Sequence, residues 1–438
     1  MKSNKMKNAY ENKFITGYKK FLFFQYLKMY VFFRYTGKLL SKKITLKQHT
    51  IFLKRALLFL NKVKVNKVVK TLGVYKMHIY FPAFPTKSFF KALDKFLVLR
   101  KDDLNPVSVL LSIGKGCRNN CKHCYQRFDT KKELPLEDLK ELTRQLLDLK
   151  ISFINIEGGE PLIKFDRLIE VMKIINNRAE VWVNTSGFNL TEEKAKKMKE
   201  VGVFGVMISV HHWDKKKHDE FTGRIGSFDD AIRALKLFKR AGISTAINCV
   251  GTQELLKDDG FDKVMQIAKE TGCSIVQLIH EKPAGAWIGK NDTMQKEYLR
   301  KLYNYHLIYN LNKKYKDYPV VSSQVWESTK NNFGCTAGGI ERFYVNGNGD
   351  VQPCEFVNVS FGNIKKENFL EIYKKMRKVF DKPRTNWICC TEHNKINKEL
   401  KKLKNKLTPL SKEKSEKIIN SFDFGEETLL YRKMGLYD

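Results

Sequence analysis

The sequence predicts an α/β fold built around one parallel sheet of βαβ units, and three observations carry that prediction. From about Pro106 onward, six apolar strand-like segments are separated by five helical periodicities over roughly 175 residues. The chain has 438 residues, 42% hydrophobic and 12% aromatic, enough core for two or three domains and too apolar for a disordered or collagen-like chain. No run reaches the ~18–20 apolar residues of a spanning helix, and no signal-peptide order opens the chain, so a cytoplasmic location is expected. Alternation alone leaves an open sheet and a barrel both available.

The first element is set apart by charge. Residues 1–100 hold 23 Lys and Arg against two acids, Glu11 and Asp94, a net of +21; the other 338 residues hold 58 against 45, a net of +13. This predicts a basic, aromatic-rich helical N-terminal segment over 1–100. Its run Phe21–Phe33 would span only ~20 Å as a helix and is interrupted by Lys28, while Ile51–Leu60 carries Lys54 and Arg55. Such helices pack on the protein with their lysines snorkelling, lie in an anionic membrane interface, or meet nucleic-acid phosphates. Packing is the first expectation. A position peripheral to the inner face of the membrane is the second, and nucleic acid is the least expected.

The alternating region then reads in order. Val107–Ile113 is a buried strand, and Leu136–Leu149 a helix with acids from Glu133 to Asp138 near its N-terminus. Ser152–Ile156 is a strand, Asp166–Asn176 a helix, Glu180–Thr185 a strand, and Thr191–Val201 a helix with a Thr cap. Strand Phe204–Val210, helix Phe228–Ala241, strand Ser244–Val250, helix Phe261–Thr271 and strand Ser274–His280 complete the series, with Gly242 and Gly272 as stops. These elements define an expected domain over 101–325, followed by a small domain over 326–395 and a helical tail over 396–438.

Nine cysteines, an odd and clustered set, fit a reducing compartment where thiolates hold metal. Cys117, Cys121 and Cys124 follow the first strand as Cys-x3-Cys-x2-Cys with no fourth cysteine nearby. Three thiolates can hold three irons of a [4Fe–4S] cluster and leave the fourth open. Zinc wants four closed ligands, and His123 is too close to Cys124 in sequence to serve comfortably. After the second strand comes the turn Gly158-Gly159-Glu160-Pro161. Together these motifs resemble the radical S-adenosylmethionine (radical SAM) superfamily, whose cluster motif is Cys-x3-Cys-x-Φ-Cys; His123 stands at the usually aromatic position, where an imidazole can still pack on adenine.

That resemblance implies S-adenosylmethionine (SAM) as cofactor, with Gly158, Gly159 and Glu160 receiving its amino group. It implies ribose contacts from Asn184, beside Thr185 and Ser186, and a ligand-facing Ser209. Arg224, in Phe221-Thr-Gly-Arg-Ile-Gly-Ser-Phe228, would pair with the SAM carboxylate through its fork geometry. His211 and His212 are expected as core histidines, or as supports behind the ligand-contacting groups, rather than as catalysts. The family's fifth-strand motif and glycine-rich sixth-strand motif are not recognisable, so Ser274–Glu281 receives no assigned contact. Every implied site falls at a strand C-terminus, which favours a partial (β/α)6 TIM-type barrel over an open sheet.

The later cysteines tell a second story. Cys335, the turn Tyr344–Asp350, Cys354 and the pair Cys389–Cys390 resemble a SPASM/twitch domain, which implies one auxiliary [4Fe–4S] cluster. Cys335 and Cys354 lead as its ligands, because adjacent side chains such as those of Cys389 and Cys390 diverge; Cys249 and Cys273 read as core. Glu355 occupies a position where related enzymes can carry a catalytic acid, or it is a surface charge. The resemblance implies reductive cleavage of SAM to methionine and a 5′-deoxyadenosyl radical that removes a substrate hydrogen atom, fed by an electron donor such as a flavodoxin or ferredoxin. A peptide or protein is the first expected substrate, and a lipid or isoprenoid at the membrane surface the second. A non-catalytic iron–sulfur protein that binds nucleic acid is the third reading, against which the Gly-Gly-Glu-Pro turn and Arg224 count.

Overall fold

The structure is a computed structural model that describes residues 11–100, 105–129, 131–257, 259–290, 295–403 and 407–437. It begins with β1 (Lys13–Ile15), helices Gly17–Leu40 and Leu46–Val63, β2 (Val68–Thr71) and β3 (Val74–Lys76); the three strands form an antiparallel sheet. The second helix starts at a capping box, in which the Gln48 N–H donates to Thr45 Oγ1 (3.2 Å) and the Thr45 N–H to Gln48 Oε1 (3.0 Å). The two helices meet through Tyr35 stacked on Phe52 at 3.6 Å between ring centroids.

Six strands form the centre: β4 (Ser108–Ser112), β5 (Phe153–Glu157), β6 (Glu180–Thr185), β7 (Gly205–Ser209), β8 (Ser244–Gly251) and β9 (Ile275–His280). They pair in chain order, all parallel, so the sheet is the expected partial barrel. Their limits match the sequence pattern to within about two residues, the ordinary uncertainty of element ends. Two extensions were not expected. β10 (Val320–Ser323) adds a parallel strand beyond β9; β11 (Arg342–Val345) adds one beyond β4 and returns antiparallel as β12 (Val351–Gln352). Four residues such as Val320–Ser323 are too few for a period, and Arg342 pairs with Ser108 across more than two hundred residues of chain, which no local pattern reveals.

The basic segment is built into this barrel. Val69 and Ile79 join Phe153, Trp182, Met207, Ala246, Ile275 and Val320 in one buried cluster, several of them at or near the strands' N-terminal ends. The Lys76 ammonium, fully buried, pairs with Glu180 at the start of β6, and the Ala83 N–H donates to the other Glu180 oxygen at 2.7 Å. Buried Arg55 donates to the carbonyls of Phe96 (3.2 Å), Val98 (2.5 Å) and Met434 (3.1 Å), joining the segment to the C-terminal end of the chain. The packing expectation therefore holds for the inward face. No helix among the described residues is long and apolar enough to cross a membrane.

The C-terminal region wraps back onto the domain before it. Helix Phe369–Val379 covers the β11 side, with Phe369 and Tyr373 against Phe343, and the Leu410 N–H donates to the Asn358 carbonyl at 3.0 Å. The division expected between 395 and 396 falls inside helix His393–Lys401, and the one between 100 and 101 adjoins 101–104, outside the described residues, as are 1–10.

Candidate active site

The loop after β4 carries the first three cysteines across the C-terminal end of the barrel. It is pinned to helix Lys215–Thr222 by the Asn120 N–H to the Thr222 carbonyl (2.8 Å) and the Lys122 N–H to the Phe221 carbonyl (2.9 Å). Its start is clamped by the turn after β5: the Gly159 N–H donates to the Gly114 carbonyl (3.1 Å) and the Glu160 N–H to the Gly116 carbonyl (2.8 Å). Here the two glycines are required by space. A Cβ on Gly158 would stand 2.6 Å from the Gly114 oxygen, and one on Gly159 2.3 Å from the Gly116 oxygen.

Cys117, Cys121 and Cys124 line a cavity of about 160 Å³ with Gly158, Gly159 and Glu160. Asn184, Ser209 and His123 also border it, so the structure brings these sequence-expected residues together. Burial pushes the Cys117 thiol up to about 11 and the Cys121 thiol up to about 12, so both stay neutral until a cation displaces their protons. Among the described residues no three His, Cys, Asp or Glu groups converge as they would on one ion. A cubane differs, because each thiolate binds its own iron and the ligands stand further apart. Several buried polar atoms around the cavity have no protein partner: His123 Nδ1, Glu157 Oε1, Asn184 Oδ1 and Asn248 Oδ1. A lined cavity with three thiols and uncommitted polar groups fits a cluster and a polar cofactor.

Two residues expected to contact SAM have partners within the protein. The Glu160 carboxylate accepts from the Thr185 and Ser186 hydroxyls, from the Ser186 N–H (2.8 Å) and from the Leu162 N–H (3.1 Å). A carboxylate has about four lone-pair sites, so the protein already fills them and Glu160 braces the ends of β5 and β6. Arg224 donates to Asn119 Oδ1 (2.6 Å), pairs with Asp230 (2.7 Å) and lies over the Phe188 ring; it steadies the cysteine loop and is not part of the cavity lining. His123 stacks on Phe221 (5.0 Å) and meets His211 edge-on (4.6 Å), and burial lowers its pKa to about 4. His211 is buried and accepts from the Val250 N–H, as a core histidine does, while also bordering the cavity.

Sequence reasoning missed two residues here. Glu157 ends β5 inside the cavity, and burial pushes it up to about 8. An acid closing the apolar run Phe153–Ile156 was the available signal. Tyr80 enters from the basic segment and accepts from the Gln277 side-chain amide; nothing local announced it.

The second cysteine group lines a neighbouring cavity of about 140 Å³. Cys335, Cys354 and Cys389 face it, with Arg342, Lys282 and Tyr80. Cys390 does not: it lies 3.4 Å from His280 Nε2 and 3.7 Å from Lys282 Nζ, and 3.7 Å from the Cys389 sulfur. The two adjacent sulfurs are in hydrogen-bond contact, yet only that of Cys389 borders the cavity. A hydrogen bond from Cys390, aided by the Lys282 ammonium, holds the Cys389 thiol below its ordinary range despite its burial. Glu355 is buried rather than a surface charge; it accepts from the Cys354 thiol (2.9 Å), stands 3.6 Å from Arg342 and borders the first cavity. Cys249 and Cys273 are buried core residues. Tyr80 borders both cavities, and the stretch Cys354-Glu355-Phe356 runs between them.

Comparison with known proteins follows the same division. The radical SAM superfamily model matches residues 111–261, and the SPASM iron–sulfur cluster-binding domain model matches 335–402. The AdoMet-dependent heme synthase of Oleidesulfovibrio alaskensis is 26% identical over 301 residues, covering 63% of this chain and 76% of that protein. The mycofactocin maturase MftC of Mycolicibacterium smegmatis is 26% identical over 207 residues, covering 46% of this chain and 51% of its own. Streptococcus suis SuiB, solved with its precursor peptide SuiA, shares the fold at a TM-score of 0.53 and 18% identity, over 74% of this chain and 79% of SuiB.

Proposed function

From the premise that the chain belongs to the radical SAM superfamily and carries a SPASM domain, we propose that it is a maturase that removes a hydrogen atom from a peptide or protein side chain. It is an enzyme that binds a [4Fe–4S] cluster and SAM, and its SPASM domain binds an auxiliary iron–sulfur cluster. When bound, the reduced cluster and SAM supply a carbon-centred radical able to attack an unactivated C–H bond.

In this reading Cys117, Cys121 and Cys124 hold the radical-forming cluster, and the cavity beside them takes SAM. The Gly158–Gly159 backbone permits close approach, and the charge of Glu160, rather than a free lone pair, attracts the methionine ammonium. Asn184, Ser209 and Asn248 offer polar atoms to the ribose and the substrate, and the His123–Phe221 stack offers a flat wall for adenine. Arg224 holds the loop in place of contacting the carboxylate. Cys335, Cys354 and Cys389 hold the auxiliary cluster, with Lys282 and Arg342 balancing the thiolate charge and Cys390 acting through its bond to Cys389.

The observation that carries the reading is the common wall. Tyr80 borders both cavities and the Cys354–Phe356 stretch runs between them, so a substrate held in the first lies beside the second cysteine set. Glu355, on that wall, can take or give a proton as the substrate changes. A flavodoxin or ferredoxin would supply the electron. The peptide assignment is supported by the maturase among the relatives and by the fold shared with an enzyme solved on its precursor peptide. A second reading, a tetrapyrrole substrate, is favoured by the heme synthase, which matches a longer share of the chain.

The test is transfer of deuterium into 5′-deoxyadenosine. Anaerobically reconstituted enzyme, SAM and dithionite are incubated with deuterated peptide-and-protein, tetrapyrrole or lipid fractions. Label from the first fraction is expected. Label only from tetrapyrroles would move the assignment to the second reading, and label only from lipids would overturn both.

A further inference from the structure

Helix Gly17–Leu40 has two unlike faces. Phe23, Phe24, Leu27, Val31 and Tyr35 are buried against the protein. The opposite face is also apolar, yet open. Tyr18, Leu22, Met29, Phe33 and Leu40 run along its midline, with Tyr18 73%, Phe33 65% and Leu40 79% exposed. Phe21 and Phe32 form one edge and Tyr26 the other, so large exposed apolar side chains fill an arc of about 140°. Only Gln25 and Thr36 interrupt it. Scattered exposed hydrophobics are ordinary, but an aromatic-rich stripe with two polar interruptions along a 24-residue helix marks a contact surface.

Charge on the page decides what fits that surface. Half-buried Lys28 lies beside the Phe21–Phe32 edge, where its ammonium also donates to Asn61 Oδ1 (3.0 Å), exposed Lys19 stands beside the Tyr26 edge, and exposed Lys42, Lys43 and Lys47 follow the C-terminal end. Between Glu11 and Asp94 the sequence has no acid, and Asp94 is engaged by Lys38 (2.6 Å) and Tyr35 (2.7 Å). An apolar arc bordered on both sides by cations is the cross-section of a helix lying in an anionic lipid interface: rings enter below the headgroups while ammonium groups meet the phosphates. A second copy of the chain would set this cationic surface against itself. Nucleic acid would meet rings where it needs cations. Insertion across a bilayer is excluded because the other face is buried in the protein.

We propose that the exposed face of helix Gly17–Leu40 docks the enzyme, lying flat, on an anionic membrane surface. The proposal is independent of which substrate the active site takes.

Vesicle co-sedimentation of the full-length holoenzyme tests it, using phosphatidylcholine vesicles with and without 40% phosphatidylglycerol (about an anionic bacterial leaflet) at low and high salt. The wild type should pellet with anionic vesicles and be released by salt. The charge-preserving variant Phe21→Ser/Met29→Ser/Phe33→Ser should bind at least tenfold more weakly, as should Lys19→Gln/Lys28→Gln, with SAM cleavage unchanged in both. Equal recovery of the wild type in the supernatant with both vesicle types would overturn the proposal. So would wild-type binding by the serine variant, which would mean charge alone is at work. A monomer–dimer shift on sedimentation velocity, without vesicles and abolished by the serine variant, would assign the face to a second copy instead.

Discussion

Glu157, the last residue of β5, and Glu160, on the turn that follows, are both buried, yet the protein treats them differently. Four donors satisfy Glu160, while Glu157 keeps one oxygen without a partner and burial pushes it up to about 8. Native Glu157 therefore holds a proton that the unfolded chain has already lost between about pH 5 and 8. Stability falls as pH rises through that window, by at most about 1.4 kcal/mol per pH unit, and the loss is complete above it. Glu157→Gln escapes this cost. Its Tm should gain on the wild type between pH 6 and pH 8.5 at fixed ionic strength, and parallel curves would refute the burial argument. The adjacent cysteines make a second contrast. Cys389→Ala should lose the auxiliary iron, whereas Cys390→Ala should keep most of it, because only Cys389 faces Cys335 and Cys354; iron analysis and electron paramagnetic resonance read the difference. The cysteine spacing was legible in the sequence because thiols are scarce and clustered. Which of two neighbours turns inward was not, since it depends on His280 and Lys282 from another strand end.

Among elements, the βαβ series was legible because each strand and helix has its own period and stop, as with Thr191 capping helix Glu192–Glu200 and Gly242 just past helix Ser227–Arg240; helix Lys215–Thr222 was not foreseen. What the pattern could not supply was partnership at a distance: β10 beside β9, β11 beside β4, and the basic segment closing the barrel. The Gly-Gly-Glu-Pro turn was recognised as a motif, but its physical need appears only where it meets the cysteine loop. Gly159→Ala would place a methyl group 2.3 Å from the Gly116 oxygen, so turn and loop must part. SAM affinity, measured by equilibrium dialysis, should fall at least about tenfold, or 1.4 kcal/mol. Unchanged affinity would show that the clamp is not needed for binding. Arg224, expected at the ligand, donates to Asn119 and pairs with Asp230, two partners that the motif did not announce.

Across the whole molecule, the segment that composition sets apart as foreign is structurally part of the barrel. Lys76 is the clearest tie, since its fully buried ammonium answers the Glu180 carboxylate at the foot of β6. Lys76→Met would leave that carboxylate buried with only the Ala83 and Trp182 N–H groups, and should destabilise the protein by about 3–5 kcal/mol in denaturant unfolding. A loss under 1 kcal/mol would mean that the segment is attached loosely. From the same segment Tyr80 reaches the wall between the two cysteine cavities, so the chain from basic helix to auxiliary site is one connected body. In the proposed function this body carries two separate iron–sulfur sites, of which the loop after β4 alone generates the radical. Iron content and 5′-deoxyadenosine formation in the Cys117→Ala/Cys121→Ala/Cys124→Ala variant test it most directly. Iron should fall from about eight to about four per chain, with no 5′-deoxyadenosine formed; 5′-deoxyadenosine at the wild-type rate would mean that the radical forms elsewhere.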